Sequence, residues 1–317
     1  MTPDISVVIP THNRVDLLST TLRTALWQRD VSLEVIVVDD GSTDATASMI
    51  AGLRESRVRV VRHESPQGVS VARNRGAAEA RASWLAFCDD DDLWAPDKLA
   101  RQLAAGGASG RSWAYGGAVH VNLDLRVLSG KPPPAPERLV GALPAWSLMP
   151  GGSSNAIVRL DTFLAAGGWD ASLINLADWD LWARLALQGA PACVNRPLVG
   201  YRIHGGNASA DTALILREAR VLDGRYGTGL NYGQLHHYLA WVYLRAGRRR
   251  PAAGHLVKAA ARGQARAVAR TVTRLASRRL SHRLPALRSR QKSTDSAWIA
   301  DAEKWLEALR ETGSESA

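Results

Sequence analysis

Four short β-branched runs alternate with helical patterns through the first hundred residues, and that alternation leaves few folds open. Ile5 to Ile9, Leu33 to Val38, Val58 to Val61 and Trp84 to Cys88 are apolar, bounded by turn or cap residues, and read as buried strands. Between them Val15 to Trp27, Asp44 to Leu53 and Val69 to Ala80 carry apolar positions at helical spacing, with Ser42 or Thr43 as an N-cap. Alternating strand and helix predicts an α/β fold: a Rossmann-like, mostly parallel sheet flanked by helices. In such sheets ligands bind beyond the carboxyl ends of the strands. With 317 residues, 46% of them hydrophobic, the chain can bury a full core.

Beyond residue 105 the pattern changes. Trp113 to Ser129 is strand-like with a turn near Asn122 to Asp124, and Lys131 to Pro136 is a proline-rich loop. Ala156 to Val158 reads as a strand, Asp161 to Ala166 and Asp178 to Gln188 as helices, and Leu198 to Ile203 as a last strand. The expected division is a first domain over residues 1–210, made of halves about 1–105 and 106–210, and a basic helical appendage over residues 211–317.

Chemistry concentrates at two strand ends. Leu33 to Val38 runs into Asp39, Asp40, Gly41 and Ser42, a pair of acceptors for a base or ribose, or simply a capped turn. Trp84 to Cys88 runs into Asp89, Asp90, Asp91 and Asp92. Four adjacent carboxylates repel one another, so gathering them at a strand end calls for a cation, and hard oxygen ligands suit Mg²⁺ or Mn²⁺. The plainer alternative is a solvated acidic loop before a helix. Cys88 and Cys193 lie far apart in apolar segments and predict neither a disulfide framework nor a zinc site.

The segments Val7 to Asn13 (VVIPTHN), Val37 to Thr43 (VVDDGST), Ala72 to Gly76 (ARNRG) and Phe87 to Trp94 (FCDDDDLW) together resemble family 2 glycosyltransferases of the GT-A fold, over roughly residues 4–209. The resemblance implies a nucleoside-diphosphate-sugar donor and an inverting transfer to a hydroxyl of a saccharide or lipid-linked glycan, in bacterial cell-surface polysaccharide or glycoconjugate synthesis. It places Pro10, Thr11, Asn13, Asp39, Asp40 and Arg73 in the nucleotide pocket, and Asp90 near the donor sugar or ribose. The metal-binding Asp-x-Asp falls on Asp89 and Asp91, with His204, in the closing segment Tyr201 to Gly206, able to reach the metal or diphosphate. A base must take the acceptor proton as the hydroxyl attacks, and Asp178 stands at that family position. There the family's preceding Glu is replaced by Ala177, the one feature that favours a degenerate, non-catalytic sugar-nucleotide or anionic-surface binder. A nucleotidyltransferase of the same fold would carry a glycine-rich, basic loop after the first strand, which Pro10 to Asn13 does not supply. Among eleven tryptophans, Trp146 and Trp179 are the candidates for stacking on an acceptor sugar.

The net charge of +10 is concentrated late, since Arg245 to Lys292 holds fifteen Lys or Arg and no acid. Arg262, Arg266, Arg270, Arg274 and Arg278 recur every four residues, with Val268, Val272 and Leu275 on another face. A basic helix of this kind suits an anionic membrane surface. Nucleic acid is the competing partner, disfavoured by the lack of a nucleic-acid motif and of interleaved aromatics. With no basic leader and no eighteen-residue apolar run, the expected location is the cytoplasm, peripheral on the inner face of the cell membrane.

Overall fold

The computed structural model describes residues 2–205, 211–227, 229–281 and 296–314. Strands β1 (Ile5–Thr11), β2 (Leu33–Asp40), β3 (Val58–His63) and β4 (Trp84–Phe87) alternate with helices α1 (Val15–Leu26), α2 (Thr46–Ala51) and α3 (Val69–Ala78). The strands pair in parallel in the order β3-β2-β1-β4, with Val7 beside both Val35 and Ala86. Every residue of β1 and β2 is buried, which is why these runs are apolar throughout rather than alternating. Helix α3 lies so close to the sheet that a Cβ on Gly76 would come 2.4 Å from a Val8 methyl, so the glycine of the ARNRG segment is a packing requirement.

The second half makes the sheet mixed. A two-residue strand β5 (Leu93–Trp94) and helix α4 (Lys98–Ser109) lead to β6 (Trp113–Val121) and β7 (Val127–Lys131), followed by α5 (Pro136–Ala142). A 3-10 turn at Gly152–Ser154 precedes β8 (Ile157–Arg159), α6 (Leu160–Ala165), α7 (Ala177–Gln188) and β9 (Ala192–Arg202). The sheet continues β4-β8-β6-β9-β5, with β8 antiparallel to both neighbours, β9 parallel to β6, and β7 an antiparallel partner of β6. The expected parallel sheet is therefore the first half, and antiparallel pairs extend it. The proline-rich loop ends where Pro136 opens α5, a first-turn position that needs no N–H.

The chain divides into two units. The first holds the described residues up to Leu143, Ser147–His204 and those from Ala297 onward; the second holds Pro144–Trp146 and the described residues of Gly205–Ser296. The expected border at 209–210 lies outside the described residues, as do Gly206 at the end of the closing segment and Lys292 at the end of the basic stretch. Assignment of the whole of 211–317 to the appendage needs correction at α12 (Ser296–Ser314). From Ala297 this helix belongs to the α/β unit, where Ala302, Trp305, Leu306 and Leu309 form one buried cluster with Leu93, Val119, Val121 and Leu198. Trp298 lies over Gly117 and Gly130, where a Cβ on Gly117 would meet the indole at 2.4 Å. Arg23 donates to the Leu309 carbonyl (2.6 Å), and Arg196 pairs with Asp301 (2.7 Å).

The second unit is helical: α8 (Thr212–Tyr226), α9 (Tyr232–Arg245), α10 (Arg249–Ala259), a π-helical kink at Ala260–Gln264, and α11 (Ala265–Ser281). Asp211 caps α8 by accepting from Ala213 and Leu214 N–H, and Asn231 caps α9 by accepting from Gln234 N–H. Arg262, Arg266, Arg270 and Arg274 are exposed, Val268 and Leu275 half-buried, and Val272 50% exposed. The side chain of Arg278 lies outside the described residues. No helix among the described residues is long and apolar enough to cross a membrane.

Candidate active site

The carboxyl ends of β1, β2 and β4 bring three loops to one edge of the sheet. Asn13 turns the β1 loop with a left-handed backbone (φ 53°), a conformation that Asn tolerates. Its Oδ1 accepts from the N–H groups of Thr43 (2.8 Å) and Asp44 (3.2 Å), while its own N–H donates to Ser42 Oγ (3.0 Å). Asn13 thus ties the PTHN and DDGST loops together. Pro10 is a buried residue of β1, and Thr11 Oγ1 donates to Asp90 Oδ2 (2.8 Å), which joins the first loop to the acidic one.

Asp39 and Asp40 hold the neighbouring loops. Asp39 accepts from Ser42 N–H (2.9 Å) and Arg62 Nη1 (2.6 Å). Asp40 accepts at Oδ1 from His63 Nδ1 (2.7 Å) and Gln67 N–H (2.9 Å), and at Oδ2 from Gly68 N–H (2.8 Å). Burial works to raise the Asp40 pKa, but the bonds from His63, Gln67 and Gly68 outweigh it and hold the carboxyl below its ordinary value. Both oxygens therefore anchor the 63–68 loop at this edge of the sheet.

The four aspartates after β4 have four different fates. Asp89 pairs with Arg73 and accepts from Ser153 Oγ (2.7 Å). Asp90 faces Thr11 and, at 3.2 Å, Arg14 Nη1. Asp91 Oδ2 accepts from Arg14 Nη1 (2.5 Å) and from His204 Nε2 (2.9 Å). Asp92, only 1% exposed, accepts from Ser154 Oγ (2.5 Å) and the Arg202 N–H (3.3 Å). Burial, with Asp91 and Asp89 nearby, pushes Asp90 up to about 7 despite Arg14, and burial, with the same two neighbours, drives Asp92 well above the ordinary carboxylate range. Burial acts the same way on Asp91, but His204 and Arg14 overcome it and hold Asp91 below its ordinary value.

One ligand oxygen each from Asp89, Asp91 and Asp92 lie within 4.8 Å of one another. This hard-oxygen set, with Asp92 and Asp90 unable to ionise freely, fits a divalent cation. Relative to expectation, Asp92 joins Asp89 and Asp91 in the set, while His204 meets it through Asp91. The identity of residue types within the DDDD run could not reveal which carboxylates converge; Ser154 and Arg202, far away in sequence, decide it.

The second half of the unit supplies a fifth carboxylate. Asp178, half-buried in the first turn of α7, accepts from its neighbour's N–H (Trp179, 2.7 Å). Burial raises its pKa to about 6; Arg73 opposes and Asp89 adds to the shift, so Asp178 lies within electrostatic reach of the cluster. A Cβ on Gly152 would stand 3.3 Å from its Oδ2. Ala177, where the family has Glu, is buried and offers no carboxylate, and Asp180 is fully buried in a pair with Arg184 (2.6 Å).

The two tryptophans proposed for acceptor stacking each have protein partners. Trp179 is 4% exposed with Nε1 donating to the Leu143 carbonyl (2.5 Å), so its faces are packed against protein. Trp146 belongs to the helical unit and meets Tyr238 edge-on at 6.1 Å. Sequence reasoning also passed over Arg14 and Arg202. Arg202, 3% exposed, donates to Leu17 O (2.8 Å), Thr21 Oγ1 (2.7 Å) and the Asp91 carbonyl, clamping the acidic loop onto α1. The available signals were that Arg14 follows Asn13 directly and that Arg202 lies in the closing segment two residues before His204.

A parallel half ending in acidic loops, continued by a mixed half that brings a helix-borne carboxylate to the same edge, defines the GT-A fold of sugar-nucleotide-dependent glycosyltransferases. Residues 6–158 match the family Glycosyl transferase family 2. It is 37% identical over 126 residues to the succinoglycan biosynthesis protein ExoO of Rhizobium meliloti, an overlap of 40% of this chain and 36% of that protein, so it spans little more than a third of that relative's length. It is 28% identical over 221 residues to WfaP of Escherichia coli, a UDP-Glc:alpha-D-GlcNAc-diphosphoundecaprenol beta-1,3-glucosyltransferase, covering 69% of this chain and 85% of WfaP. Its fold is similar to that of the mannosyltransferase PcManGT from Pyrobaculum calidifontis in complex with GDP-Man and Mn²⁺ (TM-score 0.53, 20% identity, 98% of this chain and 86% of that one).

Proposed function

We propose that this chain is an inverting glycosyltransferase that moves a sugar from a nucleoside-diphosphate-sugar to a hydroxyl of a saccharide or lipid-linked glycan in bacterial surface-polysaccharide or glycoconjugate synthesis. The observation that carries this reading is Asp178: a carboxylate with a pKa near 6, at a helix N-terminus, within electrostatic reach of the aspartate cluster. Near neutral pH it is ionised and basic enough to take a hydroxyl proton. The similarity to WfaP favours a lipid-linked acceptor.

Pro10, Thr11, Asn13 and Arg73 line the nucleotide end, with Asp39 and Asp40 holding the loops that wall it. Asp90 is proposed to face the donor sugar or ribose. Asp89, Asp91 and Asp92 would hold Mn²⁺ or Mg²⁺, with His204 behind Asp91; a bound cation supplies charge to a departing diphosphate. The Nε of Arg73 is buried without a hydrogen-bond partner among the described residues, and its position against Asp89 and Ser153 Oγ (2.9 Å) orients it at the same edge. In the helical unit, the exposed arginines of α11 are proposed to rest on an anionic membrane surface on the cytoplasmic side, where a lipid-linked acceptor is found.

Ala177 favours a second reading, a domain that binds a sugar nucleotide without turnover. Thermal stabilisation by UDP, GDP, dTDP and CDP, each with and without Mn²⁺, tests the donor site in wild type and Asp91→Ala. A shift of several degrees for one nucleotide, requiring both Mn²⁺ and Asp91, is expected; no shift with any nucleotide removes the donor site.

A further inference from the structure

The turn at residues 151–155 meets the aspartate loop from the second half of the α/β unit. Gly151 and Gly152 take left-handed backbones (φ 67° and 55°), which folds the chain tightly enough to bring two successive hydroxyls to the aspartates. Ser153 and Ser154 are 3% and 0% exposed. Ser153 Oγ accepts from Arg73 Nη2 (2.9 Å) and donates to Asp89 Oδ2 (2.7 Å). Ser154 Oγ accepts from the Asp89 N–H (3.0 Å) and donates to Asp92 Oδ2 (2.5 Å). A hydroxyl has one proton to give, and with an N–H already pointing at each oxygen, both protons are committed to carboxylates. Asp89 and Asp92 are two of the three carboxylates whose oxygens converge for a cation.

Other groups hold the turn itself. Trp94 Nε1 donates to the Ser154 carbonyl (2.8 Å), and Gln102 Nε2 to the Asn155 carbonyl (2.7 Å). Asn155, fully buried, accepts from the Gly116 N–H (2.7 Å) and donates to the carbonyls of Gly116 (2.8 Å) and Pro150 (2.5 Å). The turn is thus tied to β5, α4 and β6 without its serine hydroxyls, which serve the carboxylates instead. A carboxylate oxygen that accepts a serine proton has less capacity left for an ion, so each of these aspartates is biased toward ligation through one oxygen. Ligands at fixed positions suit a small ion with a regular octahedral shell, whereas Ca²⁺ takes longer bonds, more ligands and bidentate carboxylates that can turn.

We propose that Ser153 and Ser154 are positioning residues that fix Asp89 and Asp92 for one-oxygen ligation and so set the preference of the site for Mn²⁺ or Mg²⁺ over Ca²⁺. This rests on the reading of Asp89, Asp91 and Asp92 as a cation site.

The test is Mn²⁺ binding to the full chain by electron paramagnetic resonance, with Ca²⁺ as competitor, without nucleotide and again with UDP or GDP present. Wild type, Ser153→Ala, Ser154→Ala, Ser153→Thr and Ile50→Ala are compared, each shown to be folded by its thermal transition. Ser153→Ala and Ser154→Ala should each bind Mn²⁺ roughly 10- to 100-fold more weakly, the usual effect of removing a hydrogen bond behind a metal ligand. Ca²⁺ affinity should fall much less, because looser carboxylates suit it, so that discrimination between the ions drops about tenfold. Ser153→Thr keeps the hydroxyl and should stay near wild type. Ile50→Ala, a core change in α2, lowers stability through another element and should leave both affinities unchanged. Unaltered Mn²⁺ binding in the two serine-to-alanine variants overturns the positioning role and leaves the cation site standing. Parallel losses of Mn²⁺ and Ca²⁺ overturn the selectivity. Failure of wild type to bind Mn²⁺ under every condition removes the cation site itself, and the proposal with it.

Discussion

Asp178 shows how a single environment sets both chemistry and cost. Its folded pKa of about 6, against an ordinary 3.8, means that the folded protein holds a proton which the unfolded chain has already lost. Stability therefore falls as pH rises between these values, and above them the ionised carboxylate is a standing penalty. Asp178→Asn is expected to raise stability at pH 7.5 by on the order of 1–2 kcal/mol, discounted for the side chain's partial exposure, with no gain at pH 3.5. Denaturant melts at the two pH values check this. Transfer should rise with pH through about 6 in wild type, following ionisation of Asp178, and fall by roughly 10²- to 10⁴-fold in the Asn variant at pH 7.5. Other residues were less legible. The motifs pointed to Asp89, Asp91 and Asp178, but nothing local to Trp179 announced that its ring is enclosed, since burial depends on elements distant in sequence. Arg14 and Asp40 were visible as residues, and their partners were not: His63, Gln67 and Gly68 reach Asp40 only once β3 and α3 have packed.

Among elements, the legible ones are those whose pattern is self-sufficient. Strands β1 to β4 and their helices emerged from β-branched runs and helical spacing because each is buried on its own terms in a parallel sheet. The two-residue β5 carries no periodicity, and its pairing with β9 comes from the acidic loop that precedes it. Helix α12 was recognisable as a helix but not as part of the α/β unit, since an amphipathic stripe says that a face is covered and not by what. Its packing makes a clear prediction. Trp305 is 7% and Leu306 0% exposed, so Leu306→Ala should cost about 2–5 kcal/mol and Trp305→Ala about 3–5 kcal/mol in chemical denaturation. Changes near ±0.5 kcal/mol, typical of an exposed helix, would show that α12 is not seated on the sheet. At the other side of the unit, Gly76→Val forces a branched side chain against Val8 and Val38 and should destabilise by roughly 1–3 kcal/mol in the same assay.

At the scale of the whole molecule, an α/β unit with a buried acidic site is joined in one chain to a helical unit with exposed arginines. If α11 rests on anionic lipid, replacing Arg266, Arg270 and Arg274 by Gln should weaken binding to phosphatidylglycerol vesicles by on the order of a hundredfold, at about 1 kcal/mol per charge. Phosphatidylcholine vesicles should bind wild type and variant equally weakly, and salt should erase the difference. Vesicle co-sedimentation checks this, and equal binding by both proteins would remove the lipid surface from the proposal. The central claim, however, is turnover at the sheet edge. Its most direct measurement is nucleoside diphosphate release from a panel of sugar nucleotides with Mn²⁺, by wild type and Asp178→Asn, alongside nucleotide-induced thermal shifts in both. The predicted result is release from one donor by wild type, at least a hundredfold less by Asp178→Asn, and equal thermal shifts in the two proteins. Equal thermal shifts with no release by either protein would contradict it and leave a domain that binds sugar nucleotides without transferring them.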